Sequence, residues 1–301
     1  MTDKHSTDPR TAFAAEPAVD LAGACVAILG CGSVGSFAAW ACASAGVGHL
    51  ELADRDTLSP DNLRRHACGR DDLDVPKPTA LARLLSRRFP ELHVAAHEGC
   101  FLREPVRLRR VIAAADVLLV AVDDEAPKHL IDAMARALGK PAVYAGVYGG
   151  GWAAEVVALD PAAAAPCYAC AARALGRDGV ALDAAEPPPA YALPVPGRAA
   201  GGWPRADLTS LLPCAALAAG LVTARLARDR GRPRPWAEWT ARGGCAWRFA
   251  LRRVAAWDCG PWQLVPVPVT AEPACPTCGL RQPVAADLAA LLESRDAGNG
   301  A

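Results

Sequence analysis

Residues 26–29, VAIL, run straight into three glycines at the spacing GxGxxG: Gly30, Gly32 and Gly35. A short apolar run that gives way to a glycine-rich turn and then to a helical pattern over 33–45 reads as strand, turn and helix. Glycine in such a turn lets the backbone approach a phosphate, whose charge the positive end of the following helix attracts. A second strand, 49–53, leads into Asp54, 19 residues past Gly35. An acid at the end of that strand can hydrogen-bond ribose hydroxyls. The unit points to a mostly parallel α/β sheet that binds a nucleotide at the carboxyl ends of its strands, without choosing between a dinucleotide and ATP.

The rest of the chain keeps the alternation. Leu81, Leu84, Leu85 and Phe89 recur at helical spacing over 77–89, which leaves Arg83, Arg87 and Arg88 facing outward. A strand is expected at 92–96 and a helix at 104–115. The apolar run 117–122, VLLVAV, has the character of a central parallel strand and ends on Asp123 and Asp124, where a ligand-side acid belongs. Asp124 is also placed to cap the next helix, 126–138, on which His129 reads as a surface residue. A strand at 142–145, a glycine-rich turn over 146–151 and a strand at 155–159 complete the first half. Residues 176–206, rich in Pro and Ala, read as a loop crossing the nucleotide face. A long apolar helix follows over 207–228, with Leu208, Leu211, Leu212, Ala215 and Leu221 on its buried side. Antiparallel strands near 246–251 and a short helix at 286–292 end the chain. The expected fold is a doubly wound, mostly parallel α/β sheet with an antiparallel C-terminal extension.

Charge narrows the partners. With 32 basic and 32 acidic side chains the formal net charge is zero, which gives no electrostatic case for nucleic acid or an anionic membrane. Nine arginines crowd residues 225–253 against Asp229 and Glu238, as either a solvated face or a docking patch for an acidic partner. The first twenty residues contain no apolar segment of a secretory signal, and the apolar runs 111–122 and 211–224 are too short for a membrane span. The expectation is a cytoplasmic protein. Twelve cysteines then read as thiols and metal ligands rather than disulfides.

Two CxxC pairs stand out among those cysteines, Cys167 with Cys170 and Cys275 with Cys278. Each turn places two sulfurs on one side, so two turns close a tetrahedral four-thiolate shell around structural zinc with no position left open. A thioredoxin-like redox pair is the alternative, but neither pair precedes a helix in the matching βαβ context. A zinc ion here would pin the end of the crossing loop to the C-terminal segment.

The string DRDTLSPDNLRRH after the second strand, followed by Lys77, resembles the ThiF/MoeB/HesA family of adenylating enzymes, relatives of the ubiquitin-activating enzymes. The residues that carry the resemblance are Gly30, Gly32, Gly35, Asp54, Asp56, Asn62, Leu63, Arg65 and Lys77, with Asp123 and the two CxxC pairs downstream; it extends over about 21–281. Ser33 stands where the family usually has Gly, and His66 where Gln is commoner, though a histidine can still donate a hydrogen bond. The resemblance implies a Rossmann-like fold, ATP and Mg²⁺, and adenylation of the C-terminal glycine of a small ubiquitin-like or sulfur-carrier protein. Arg65 and Lys77 would then face the phosphates, Asp123 would hold Mg²⁺, Asp54 would fix the ribose and Asn62 would orient the phosphates or the metal shell. Such a set suits the chemistry, because joining a carboxylate to a phosphate brings anions together and rewards positioned cations. Asp56 would help either the ribose or the Asn62 loop.

Relatives are usually homodimers, and many carry an N-terminal arginine that reaches the partner subunit's site. Arg10 is the residue available for that role in an arm (1–20) that otherwise reads as loose. Residues 21–301 would form one adenylation domain, 21–160 holding the nucleotide and 161–301 the zinc site, crossing loop and carrier surface. The loop 171–213 has no cysteine for a later acyl transfer; Cys214 is the nearest candidate, as either an activated thiol at a helix start or a small core residue. Cys25, Cys31 and Cys42 read as packing. The competing readings are adenylation of a peptide C-terminus, a non-catalytic subunit of an activating pair, and an NAD-dependent oxidoreductase, which leaves Asn62, Arg65, Lys77, Asp123 and the cysteine pairs without a role.

Overall fold

A computed structural model describes residues 19–100, 102–148, 153–161, 165–176, 208–231, 244–251, 253–254 and 257–279. Arg10 and the arm, the crossing loop from 177, the arginine-rich stretch 232–243 and the expected C-terminal helix lie outside these residues.

One eight-stranded sheet runs in the order β3-β2-β1-β4-β5-β6-β7-β8. The strands are β1 (Cys25–Leu29), β2 (His49–Asp54), β3 (His93–Glu98), β4 (Val117–Val120), β5 (Ala142–Tyr148), β6 (Ala153–Leu159), β7 (Gly244–Ala250) and β8 (Gln263–Pro268). The first five are mutually parallel and the last three antiparallel. Six helices are described: α1 (Ser33–Ser44), α2 (Lys77–Arg88), α3 (Pro105–Ala114), α4 (Glu125–Ala137), α5 (Tyr168–Ala174) and α6 (Leu208–Asp229).

The two-residue period of the strands divides their side chains between two cores. Val26, Ile28, Val117 and Leu119 point to α1, α2 and α6, whereas Ala27, Leu29, Leu118 and Val120 point to α3, α4 and α5. Burial on both faces is why these strands read as unbroken apolar runs. α1 buries Gly35, Ser36, Ala38, Ala39, Cys42 and Ala43. α6 lies on this small-residue face with Leu211, Cys214, Ala215, Ala218, Val222 and Leu226 at helical spacing.

Several elements differ from expectation. β5 continues through Gly146 to Tyr148, because β6 pairs with it along its whole length and supplies a ladder that no local pattern announces. β4 ends at Val120, two residues early, and frees Ala121 and Val122 to approach the glycine turn. In α6, Leu212 is 40% exposed rather than buried. The same helix is longer than its apolar run suggested: Leu211–Asp229 could cross a membrane by length and composition, yet its apolar side is packed on the sheet and α1. β8, at one end of the sheet, carries Pro266 and Pro268.

Candidate functional site: a nucleotide crevice and a four-cysteine centre

The crevice opens where β2, β1 and β4 present their carboxyl ends side by side, the point at which a doubly wound sheet reverses its strand order. Gly30 has a φ of +97°, and a Cβ there would lie 2.6 Å from the Ala121 carbonyl oxygen. At Gly35 a Cβ would fall 1.8 Å from the Gly30 carbonyl oxygen. Both positions need glycine, one for conformation and closeness and the other for closeness alone. α1 begins with no side-chain cap and no acid in its first turn.

Asp54 closes the turn. Its Oδ2 accepts the Cys31 N–H at 2.6 Å and its Oδ1 the Asp56 N–H at 2.8 Å. Burial pushes its pKa up, against the pull of those two N–H donors and Lys77. Lys77 opens α2, is 8% exposed, and places its Nζ 2.7 Å from Asp56 Oδ2. Asp56 is thus the ion-pair partner of this lysine.

That loop is held differently. His66 Nδ1 accepts the Cys68 N–H at 3.0 Å, which leaves the proton on Nε2 to donate to the Cys31 carbonyl at 2.7 Å. The Ser36 hydroxyl accepts the Ala67 N–H as well. Asn62 Oδ1 accepts from both the backbone and the hydroxyl of Ser59 at 3.1 Å. Arg65, half-buried, has no ion-pair partner among the described residues. The segment carrying Asn62 and Arg65 is thus pinned to the glycine turn by His66.

Asp123 is exposed beyond the end of β4. Its neighbour Asp124 meets Arg55 NH2 at 3.2 Å, an ion pair that joins the end of β2 to the end of β4 across the crevice. Asp124 stands at the cap position of α4 but makes no side-chain cap bond. Beside β2 a pocket opens toward α3, with Ala53, Leu108 and Val111 as apolar lining and Gly99 and Cys100 at its wall.

The four cysteines converge although 104 residues separate Cys170 from Cys275. Cys167 lies 3.8 Å from Cys170 and 3.5 Å from Cys275, Cys170 lies 3.4 Å from Cys278, and all four sulfurs fall within 4.8 Å of one another. Tetrahedral zinc with bonds of about 2.3 Å requires sulfur separations of about 3.8 Å, so the donor set fits. Burial raises the Cys275 thiol, but hydrogen bonds from the N–H groups of Cys278 and Thr277 and from the Cys167 and Cys170 thiols together outweigh it and bring the pKa down to about 7. The Glu272 N–H points at Cys170 Sγ.

Cys214 sits in the second turn of α6, buried, with its sulfur 3.8 Å from the Gly146 carbonyl; burial pushes its thiol up to about 12. These surroundings favour packing over an attacking thiolate. Cys31 and Cys42 are buried, and burial raises both thiols; Cys25 is half-buried.

Sequence reasoning missed a polar group beside the cysteines. Glu125, Lys128 and Asp132 are buried on α4 with Tyr168 of α5 and Tyr144 of β5. Lys128 Nζ is 2.8 Å from Glu125 Oε1, Tyr168 OH donates to the same oxygen at 3.2 Å, and Tyr144 OH to Asp132 at 3.4 Å. The signal was present, since 125, 128 and 132 share the helical face of Ile131 and Ala135. His129, read as a surface residue, packs edge-on against the Tyr168 ring at 5.2 Å.

Comparison with known proteins agrees with this geometry. The chain is 34% identical over 146 residues to the sulfur carrier protein ThiS adenylyltransferase of Escherichia coli K12, an overlap of 48% of this chain and 57% of that protein. It is 30% identical over 156 residues to the molybdopterin-synthase adenylyltransferase of the same organism, covering 52% and 61%. The chain thus spans little more than half the length of these two relatives. The crystal structure of E. coli MccB with ATP shares the fold at a TM-score of 0.61 and 18% identity, over 86% of this chain and 68% of that one. Residues 10–223 match the sequence profile of the ThiF family. With the glycine turn, the Asp54–Asp56–Lys77 set and the four-cysteine centre in one molecule, the chain belongs to the ThiF family.

Proposed function

We propose that the protein uses ATP to adenylate the C-terminal carboxylate of a small ubiquitin-like or sulfur-carrier protein. The carboxylate oxygen attacks the α-phosphorus, the bond between the α- and β-phosphates breaks, and pyrophosphate leaves. The observation that carries this reading is Lys77, a buried lysine held by Asp56, two residues beyond the Asp54 carboxylate that bonds the glycine turn. A dehydrogenase needs no such cation beside the phosphates. In this reading Arg65 and Lys77 face the phosphate oxygens and lower the cost of bringing two anions together. Asp54 fixes the ribose from the end of β2, Asn62 orients the phosphates, and the base enters the pocket lined by Ala53, Leu108 and Val111. Asp123 would hold Mg²⁺, which when bound offsets the charge of the leaving pyrophosphate. The cysteine centre would hold Zn²⁺ as a structural ion.

The working assembly on this reading is a cytoplasmic homodimer in which residues 21–301 act as one domain. A second substrate class, a peptide C-terminus, is supported by the shared fold with MccB, whose structure in complex with N-formylated MccA has a TM-score of 0.61.

The test is ATP–pyrophosphate exchange with a panel of glycine-ended carrier proteins and peptides. Exchange that depends on one class, and that drops by about 10²-fold or more in Asp123→Ala, supports the reading. Folded protein that neither binds ATP nor supports exchange with any member would sink it.

A further inference from the structure

The buried group on α4 and α5 connects two sites that the fold otherwise keeps apart. Cys167, a cysteine of the four-sulfur centre, is followed at once by Tyr168, whose ring is held between Tyr144 at 4.6 Å and His129 at 5.2 Å. Tyr168 OH donates to Glu125 Oε1, Lys128 Nζ donates to the same oxygen, and Lys128 Nζ also reaches the Asp123 carbonyl at 3.4 Å. Lys128 is 3% exposed. We propose that Tyr168, Glu125 and Lys128 are positioning residues that pass the order of the cysteine centre to Asp123. The inference rests on the nucleotide reading above.

The physical case begins with cost. A buried Lys–Glu pair is weak evidence for stability, since apolar residues of the same volume often serve as well. On α4 the pair shares its buried face with Asp132 and with Ile131 and Ala135, which are ordinary core. What it secures that apolar residues would not is a donor aimed at one carbonyl. That carbonyl belongs to Asp123, which lies on the short linker between β4 and α4, two residues past the Ala121 N–H that bonds the Leu29 carbonyl at 2.7 Å. An exposed acid on such a linker points where its backbone points. The backbone is held by Lys128, Lys128 by Glu125, and Glu125 by Tyr168. The Tyr168 main chain in turn follows a sulfur tied to Cys275 from the other end of the chain.

The experiment measures binding of a non-hydrolysable ATP analogue by the full chain as Mg²⁺ is titrated, with folding followed by circular dichroism and zinc content determined for each variant. Lys128→Met should raise the half-saturating Mg²⁺ concentration about tenfold, the size of a modest coupling between sites. Tyr168→Phe, which removes one hydroxyl and keeps the ring, should raise it by a smaller factor of about three. Lys128→Arg should restore most of the loss. Opening the centre with Cys278→Ser should produce the same rise, and adding Tyr168→Phe to it should produce no more, because the path is already broken. If Lys128→Met does not fold, the Tyr168 and Cys278 cycle decides alone. Unchanged Mg²⁺ dependence in folded variants, or strictly additive effects in the cycle, overturns the inference and leaves the functional reading standing. Wild-type protein that binds the analogue without regard to Mg²⁺, or not at all, overturns both.

Discussion

His66 uses both ring nitrogens to join two segments, the Nε2–H on the Cys31 carbonyl and Nδ1 under the Cys68 N–H. Its pKa is lowered, first by burial and then by the nearby cations Lys77 and Arg65, against the bond to Cys31. The unfolded chain therefore takes up a proton near the ordinary value of 6.5, while the folded chain resists until the pH is lower. Stability from this group is present above pH 6.5 and is lost as the pH falls below it. His66→Gln keeps a donor without the titration; its urea midpoint should fall less than that of wild type between pH 7.5 and 5.5, and equal falls would show that His66 is not the group responsible. At this scale the sequence was informative wherever chemistry and spacing agree locally, as for Gly30, Gly35, Asp54 and Lys77. For Glu125 and Lys128 it offered only their place on the helical face of Ile131 and Ala135, a weak signal because a Glu and a Lys three apart on a helix are as much at home in water. Only the arrival of Tyr168 from another element makes them a buried group. For Asp56 the sequence offered the ribose or the Asn62 loop, and the contact made is with Lys77.

Helix α6 shows how one element carries two surfaces. Leu221 is fully buried among α1 and the sheet, whereas Leu212 on the same helix is 40% exposed. Leu221→Ala should cost about 2–5 kcal/mol of stability and Leu212→Ala within about 0.5 kcal/mol, read from denaturant unfolding. Similar losses at the two positions would mean that the helix faces are assigned wrongly. The strands most legible in the sequence, β1 and β4, are those buried on both faces, where composition alone betrays them. β5 was cut short because Gly146 looks like a turn residue. Its place in the ladder opposite Glu155 is a long-range fact, as is the ion pair that Glu155 makes with Arg248 of β7 at 3.0 Å. The apolar run 211–224 within the helix expected over 207–228 was read as too short for a membrane because it stops at charged residues. Those residues continue the helix, and Arg225 turns to Asp160 at the end of β6.

The whole molecule was legible as a class before it was legible as a shape. Alternating strand and helix patterns implied a mostly parallel sheet, and the antiparallel addition was expected near residue 246. What no local pattern set was the pairing itself, since β6 meets β7 through residues that lie about ninety positions apart. That sheet ends at β8, and its two prolines have a consequence for how the protein keeps to itself. Alternate residues of an edge strand aim their N–H groups outward, and Pro266 and Pro268 hold two such places, opposite Trp247 and Cys245. The outer rim therefore offers carbonyls with few donors between them, a poor template for any strand from another molecule. Replacing both prolines by valine restores the donors, and such a variant should precipitate or form mixed oligomers at concentrations where the parent stays dispersed, as light scattering would record; unchanged scattering would mean the rim is guarded by something else. By these two residues the sheet is one that cannot easily be lengthened by a strand from outside.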